Sequence, residues 1–136
     1  MSSQMEKLTP DTLQAIDLAL EDFFPQSVFA GRELASVGLK NSQIRGLENL
    51  VASTRRFSEI VNYIKNQTGK ERGNTLRWRT VSETLLNQLR DLETAAETIA
   101  GEDGGLRLAV KLRLARGWCR QVVAHYLYEN REGGAG

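Results

Sequence analysis

Residues 106–129 read LRLAVKLRLARGWCRQVVAHYLYE, and the spacing of apolar side chains in this stretch decides the fold class. Leu108, Leu112, Ala115, Cys119, Val122 and Tyr126 recur at steps of four, three, four, three and four. At about 100° per residue such steps line one side of an α-helix. On the side about 130° away stand Arg113, Arg116 and Arg120, a row about 10 Å long. No Asp or Glu stands four residues from any of the three, where a carboxylate commonly supports an exposed helical face. Planar guanidiniums in a row suit phosphate oxygens, which they hold in bidentate fashion. The alternative is a solvated basic face.

The same period recurs upstream. Val81, Leu85, Leu89, Leu92, Ala96 and Ile99 predict a helix over about 76–100, stopped by Gly101-Glu-Asp-Gly-Gly105. Ser42 is placed to cap a helix over about 42–65 on Ile44, Leu47, Val51, Thr54, Ser58 and Val61, widened by Leu50, Phe57 and Ile64. If continuous, that helix spans about 35 Å and sets Arg45 and Arg56 about 20° apart on its solvent side. Thr9 as N-cap, Pro10 at the first position and Asp11 in the first turn open a helix over about 10–24. Pro25 is expected to end it, because the residue before proline is pushed out of the α region.

Residues 25–41 then form a connector, with room for one extra short helix in 26–37. The segment NQTGKERGN at 66–74 reads as a mobile polar loop, and the closing REGGAG as a frayed end. No segment alternates apolar with polar between turn signals, so strands are not expected. The expectation is an all-α protein, a single helical domain over 1–136 folded as a compact bundle of four main helices.

Composition excludes several chemistries. One cysteine, Cys119, closes no internal disulfide, and with one histidine, His125, it cannot supply four zinc ligands. Cys119 on the apolar stripe reads as a small buried hydrophobe and His125 as a packed side chain. Glu102 and Asp103 fit a glycine turn, and the glycines there lack the Gly-Lys-Ser/Thr of a phosphate loop. No cofactor, metal or catalytic group is expected. The start MSSQMEKLTP has no basic-then-apolar leader pattern, and no apolar run approaches membrane-spanning length, so a cytoplasmic protein without a membrane partner is expected.

The net charge of +1 conceals segregation. Residues 1–31 hold one basic and five acidic side chains, residues 32–80 ten and four, residues 81–104 one and six, and residues 105–120 five and none. The two basic segments point to a polyanion, and a nucleic-acid backbone is the natural one. Arg45, Arg56, Lys111, Arg113, Arg116 and Arg120 are the candidate contacts. Trp78, between Arg77 and Arg79, is expected to present a partly exposed ring to a nucleotide or a partner.

The run Gly38-Leu-Lys-Asn-Ser-Gln-Ile-Arg-Gly-Leu47 resembles a signature of the small subunit of type III CRISPR effector complexes of the Csm kind. The elements that match are Gly38, Leu39, Ser42, Ile44 and Arg45, continued loosely through Leu50 to Ile64. The later Arg-bearing helix and the small all-α size also fit. Lys40-Asn41 departs from that pattern, and residues 1–30 show no match. The resemblance implies a non-catalytic protein present in several copies, contacting guide RNA and target RNA and touching other CRISPR effector subunits. The rival reading is a helical protein-interaction adaptor whose basic rows meet acidic partners.

Overall fold

The computed structural model describes residues 8–73 and 76–133, and every regular element among them is helical. In chain order they are α1 (Pro10–Ser36), α2 (Asn41–Ser53), α3 (Phe57–Lys70), α4 (Arg77–Ala100) and α5 (Gly104–Gly133). Of the end expected to fray, α5 takes in 131–133, and 134–136 lie outside the described residues.

Helix α5 is the axis of the bundle. Besides Leu112, Ala115, Cys119, Val122 and Tyr126, it buries a second row, Val110, Leu114 and Trp118, at steps of four. The two rows cover most of its circumference, so α5 is flanked by the other helices and a narrow strip, with Arg113, Arg120 and Ala124, meets solvent. Two glycines set how closely α1 lies against it. A Cβ on Gly31 would fall 2.6 Å from the Val122 carbonyl oxygen, and one on Gly117 would fall 2.5 Å from a Leu20 methyl. The centre is fastened by a buried polar chain: Trp118 Nε1 donates to Gln88 Oε1 (2.8 Å), and Gln88 Nε2 donates to the Gln26 carbonyl (2.8 Å). This satisfies the buried indole and amide together and joins α5, α4 and α1.

Pro25 does not end α1, which runs on to Ser36. The helical register continues through it, with Ile16, Phe23, Ser27, Ala30, Gly31 and Leu34 buried. That burial outweighs the roughly 3 kcal/mol that an interior proline costs, and Pro25 itself is on the exposed side. The helix ends instead at Gly38, with φ of 76°. There Leu39 N–H donates to the Leu34 carbonyl (3.1 Å) and Gly38 N–H to the Ala35 carbonyl (3.0 Å), with Leu34 and Leu39 both buried. This is the Schellman arrangement, and only glycine adopts its left-handed position without strain. Tyr126 of α5 donates its hydroxyl to the Leu39 carbonyl, fixing the turn to the axis.

The helix expected over 42–65 is two helices. Thr54 and Arg56 are extended, with ψ of 150° and 118°. Thr54 Oγ1 accepts from Arg56 N–H (3.1 Å) and donates to Glu59. The break shifts the buried phase: Phe57, Ile60 and Ile64 face the core, whereas Ser58 is exposed and Val61 half-buried. Ser42 is not the cap of α2. Lys40 holds that position, and its N–H donates to Gln43 Oε1 (3.0 Å) while Ser42 lies exposed in the first turn.

The loop expected over 66–74 is shorter than its composition suggests, since α3 continues to Lys70. Glu71 then caps α4 at a distance, accepting from Trp78 N–H (2.8 Å) and Arg79 N–H (2.9 Å). A carboxylate at the positive end of a helix is favourable. Residue 74, the last of the segment, lies outside the described residues.

Candidate nucleic-acid interface

The joint between α2 and α3 and the middle of α5 meet through Arg116. Its guanidinium donates to the Thr54 carbonyl (3.1 Å) and the Val51 carbonyl (3.4 Å). These are carbonyls at the C-terminal end of α2, where a helix has no internal donors left and its dipole favours a cation. The row of three arginines therefore divides. Arg113 and Arg120 lie within about 20° of each other on the exposed strip, and Arg116 is rotated about 40–60° from them toward α2. Arg116 is half-buried, and no carboxylate pairs with it among the described residues.

The neighbouring cations fall into two groups. Some are neutralised within the chain: Arg45 pairs with Glu48 at 3.0 Å, Arg56 with Glu59 at 3.1 Å, and Lys111 with Glu93 at 3.1 Å. The Lys111 ammonium also lies 5.5 Å from the centre of the Phe57 ring, a cation–π contact. It is a tie between α5, α4 and α3 more than a free charge. The break at 54–56 removes the geometry that was to set Arg45 and Arg56 on one face, because Arg45 is on α2 and Arg56 is the extended residue that precedes α3.

The other group is Arg55 and Arg113, both exposed and without an ion pair or hydrogen bond among the described residues. Arg55 follows directly on Thr54 in the chain, and Arg113 stands one turn, about 4.5 Å, from Arg116 along α5. Arg120 also has no ion pair among the described residues, yet it shares a shallow depression with Asp17 and Glu21 of α1, which lower the positive potential there. The cations nearest the joint that have no ion pair among the described residues are thus Arg55, Arg113 and Arg116, beside the Arg56–Glu59 pair to which Thr54 also bonds. Arg55 is not picked out by the sequence pattern. The available signal was Thr54 and Ser58, two hydroxyl residues interrupting an otherwise apolar stripe.

Trp78 is not part of such a surface. It is fully buried, edge-to-face against Tyr63 with ring centres 6.0 Å apart, because the Glu71 cap draws the start of α4 onto α3. Cys119 is buried, which pushes its thiol up to about 12. His125 lies edge-on to Phe24 at 5.5 Å. Among the described residues no three His, Cys, Asp or Glu side chains gather as metal ligands would, and no helix is long and apolar enough to cross a membrane. No protein-family model, characterised protein or solved structure matches this chain.

Proposed function

We propose that this chain is a non-catalytic RNA-binding subunit of an RNA-guided ribonucleoprotein, holding the backbone of guide or target RNA at the α2–α3 joint. The type III CRISPR small-subunit context, with other effector subunits and further copies as neighbours, rests only on the sequence resemblance of residues 38–64 and of the later Arg-bearing helix. One observation carries the chemical part: Arg55 beside Thr54, Arg116 bonded to the Thr54 carbonyl, and Arg113 one turn from Arg116 have no carboxylate within ion-pair distance among the described residues. Guanidiniums without an ion-pair partner keep their donors available to a ligand anion. Guanidiniums placed on rigid helices suit phosphate, and such contacts fix position without reading sequence.

The test is binding of the full chain to fluorescent single-stranded RNA across a salt series. Replacing Arg55 and Arg113 together by Ala should weaken binding equally on unrelated sequences and flatten the log–log salt slope by about 1.4, from about 0.7 per lost phosphate contact on a single strand. An unchanged slope would refute the proposal. Co-purification with a short RNA and larger subunits tests the context separately.

The adaptor reading is favoured by a different surface. Leu18 and Phe29 on α1 are 61% and 54% exposed, and their spacing of eleven residues places them within about 20° on one ridge beside Asp22. RNA crosslinks absent from the joint, with protein crosslinks on that ridge, would support the adaptor instead.

A further inference from the structure

At the end of the α2–α3 pair away from the joint lies an open pocket of about 380 Å³. Gln43 reaches it from the start of α2, Gln67 and Lys70 from the end of α3, and Arg77 from the start of α4. The run of α3 up to Gln67 sets it about 17 Å from the joint. Positive charge is concentrated there. Lys70 and Arg77 have no ion pair or hydrogen bond among the described residues. Arg72, also in the lining, donates to the Gly69 carbonyl (2.7 Å) and keeps its charge at the pocket.

The lining carboxylate, that of Glu71, is already engaged, since its two oxygens accept from Trp78 N–H (2.8 Å) and Arg79 N–H (2.9 Å). Arg77 opens α4 at the positive end of the helix dipole, where a cation is disfavoured, and no acid stands in that first turn. The uncharged groups add donors. Gln43 uses its Oε1 to accept from Lys40 N–H (3.0 Å), which leaves its amide N–H groups without a partner among the described residues. Gln67 has no hydrogen-bond partner among them either, and the buried Trp78 indole N–H behind the pocket meets no acceptor.

We propose that this pocket holds a phosphate group, seated between Lys70 and Arg77 with the Gln43 and Gln67 amides donating to its remaining oxygens. Donors arriving from three helices call for an anion with more than two oxygens, and the guanidinium fork of Arg77 fits two of them at once. The Trp78 ring is fully buried and offers no face for a base, so the phosphate alone is recognised, as a diester of a strand or as the free ion. The inference stands apart from the joint, because Arg55, Arg113 and Arg116 do not line this pocket.

The experiment is nuclear magnetic resonance of the full chain titrated with sodium phosphate, with a short oligouridylate, and with sodium chloride at matched ionic strength. Sodium phosphate should shift the amides of Lys70 and Arg77 and the Trp78 indole signal, while the Trp118 indole, bonded to Gln88, stays still. Lys70→Ala and Arg77→Ala should each weaken that binding about fivefold, the upper end for an exposed charge contact. An unchanged Tm in phosphate-free buffer shows that the variants are folded, and Arg113→Ala should leave the phosphate affinity as it is. Pocket shifts from oligouridylate that weaken in the same variants assign the phosphate to a strand, whereas shifts from sodium phosphate alone assign it to the free ion. Shifts no larger than those with sodium chloride in both titrations, or binding indifferent to both substitutions, would overturn the pocket and leave the joint to be judged by its own salt slope.

Discussion

Replacing Arg116 separates a structural arginine from a ligand arginine on the same helix. In wild type its guanidinium makes one good bond, 3.1 Å to the Thr54 carbonyl, and one long bond, 3.4 Å to the Val51 carbonyl. A hydrogen bond to a charged group contributes about 1.5–3 kcal/mol, and a cation at a helix C-terminus a further 0.3–1 kcal/mol or so at a surface. Arg116 is half-buried and its second bond is weak, so the low part of that range applies, and Arg116→Ala is expected to cost about 2 kcal/mol. For a chain of 136 residues this corresponds to a Tm lowered by about 7 °C. Arg113, exposed and without an ion pair among the described residues, predicts a change within about 0.5 kcal/mol for Arg113→Ala.

The assay pairs thermal unfolding followed by circular dichroism with RNA binding across salt. Arg113→Ala should flatten the salt slope and leave Tm nearly still. Arg116→Ala should lower Tm, and Arg116→Lys should recover about half of the loss, since an ammonium reaches one carbonyl at a time. If Arg116→Ala left Tm in place and flattened the slope as Arg113→Ala does, its side chain would be turned to phosphate, and the account of the joint would be wrong.

Two further outcomes follow from the core. Gly31→Ala would push a methyl group to 2.6 Å from the Val122 carbonyl and 2.9 Å from Tyr126 N, both backbone atoms of α5. The helices must separate, and a loss of about 3 kcal/mol by urea unfolding is expected; Gly117→Ala, which meets the flexible tip of Leu20, should cost about 1 kcal/mol, and equal costs would contradict the assigned contacts. Burial raises the Cys119 thiol from an ordinary 9.0 to about 12. The unfolded chain therefore releases this proton first, so stability should fall as pH rises from 9.0 toward 12, and Cys119→Ala should remove that part of the decline. At neutral pH, disulfide-exchange reagents should label the native thiol far more slowly than the denatured one.

The fold was legible wherever one apolar row governs a helix. The row from Val81 to Ile99 places α4 to within a residue, and the row from Leu108 to Tyr126 places the body of α5. It was not legible where tertiary contact decides. Pro25 is a stop signal locally, and it is overridden because Ala30 and Leu34 beyond it are fully buried. Thr54 looks like a weak member of a stripe, and it is a helix boundary because its hydroxyl serves Arg56 and Glu59 at once. The second apolar row of α5, Val110, Leu114 and Trp118, was present in the sequence, but one best stripe conceals a second when a helix is buried on two sides.

The candidate site follows the same logic. Residues 105–120 carry five basic side chains and no acid, and a count within one helix makes all five look available. The fold uses three as ties: Arg107 donates to the Gly101 carbonyl at the end of α4 (2.7 Å), Lys111 meets Glu93, and Arg116 holds the end of α2. Two of these partners are backbone carbonyls, which no charge count registers, and the third is a carboxylate eighteen residues away. A missing acid four residues off thus signals either a ligand or a partner on another helix. What distinguishes them is circumference: a side chain within reach of a neighbouring helix finds a tie there, and one on the single exposed strip does not. On α5 that strip carries Arg113 and Arg120, and the acids of α1 beside Arg120 leave Arg113 as the position where a phosphate gains most.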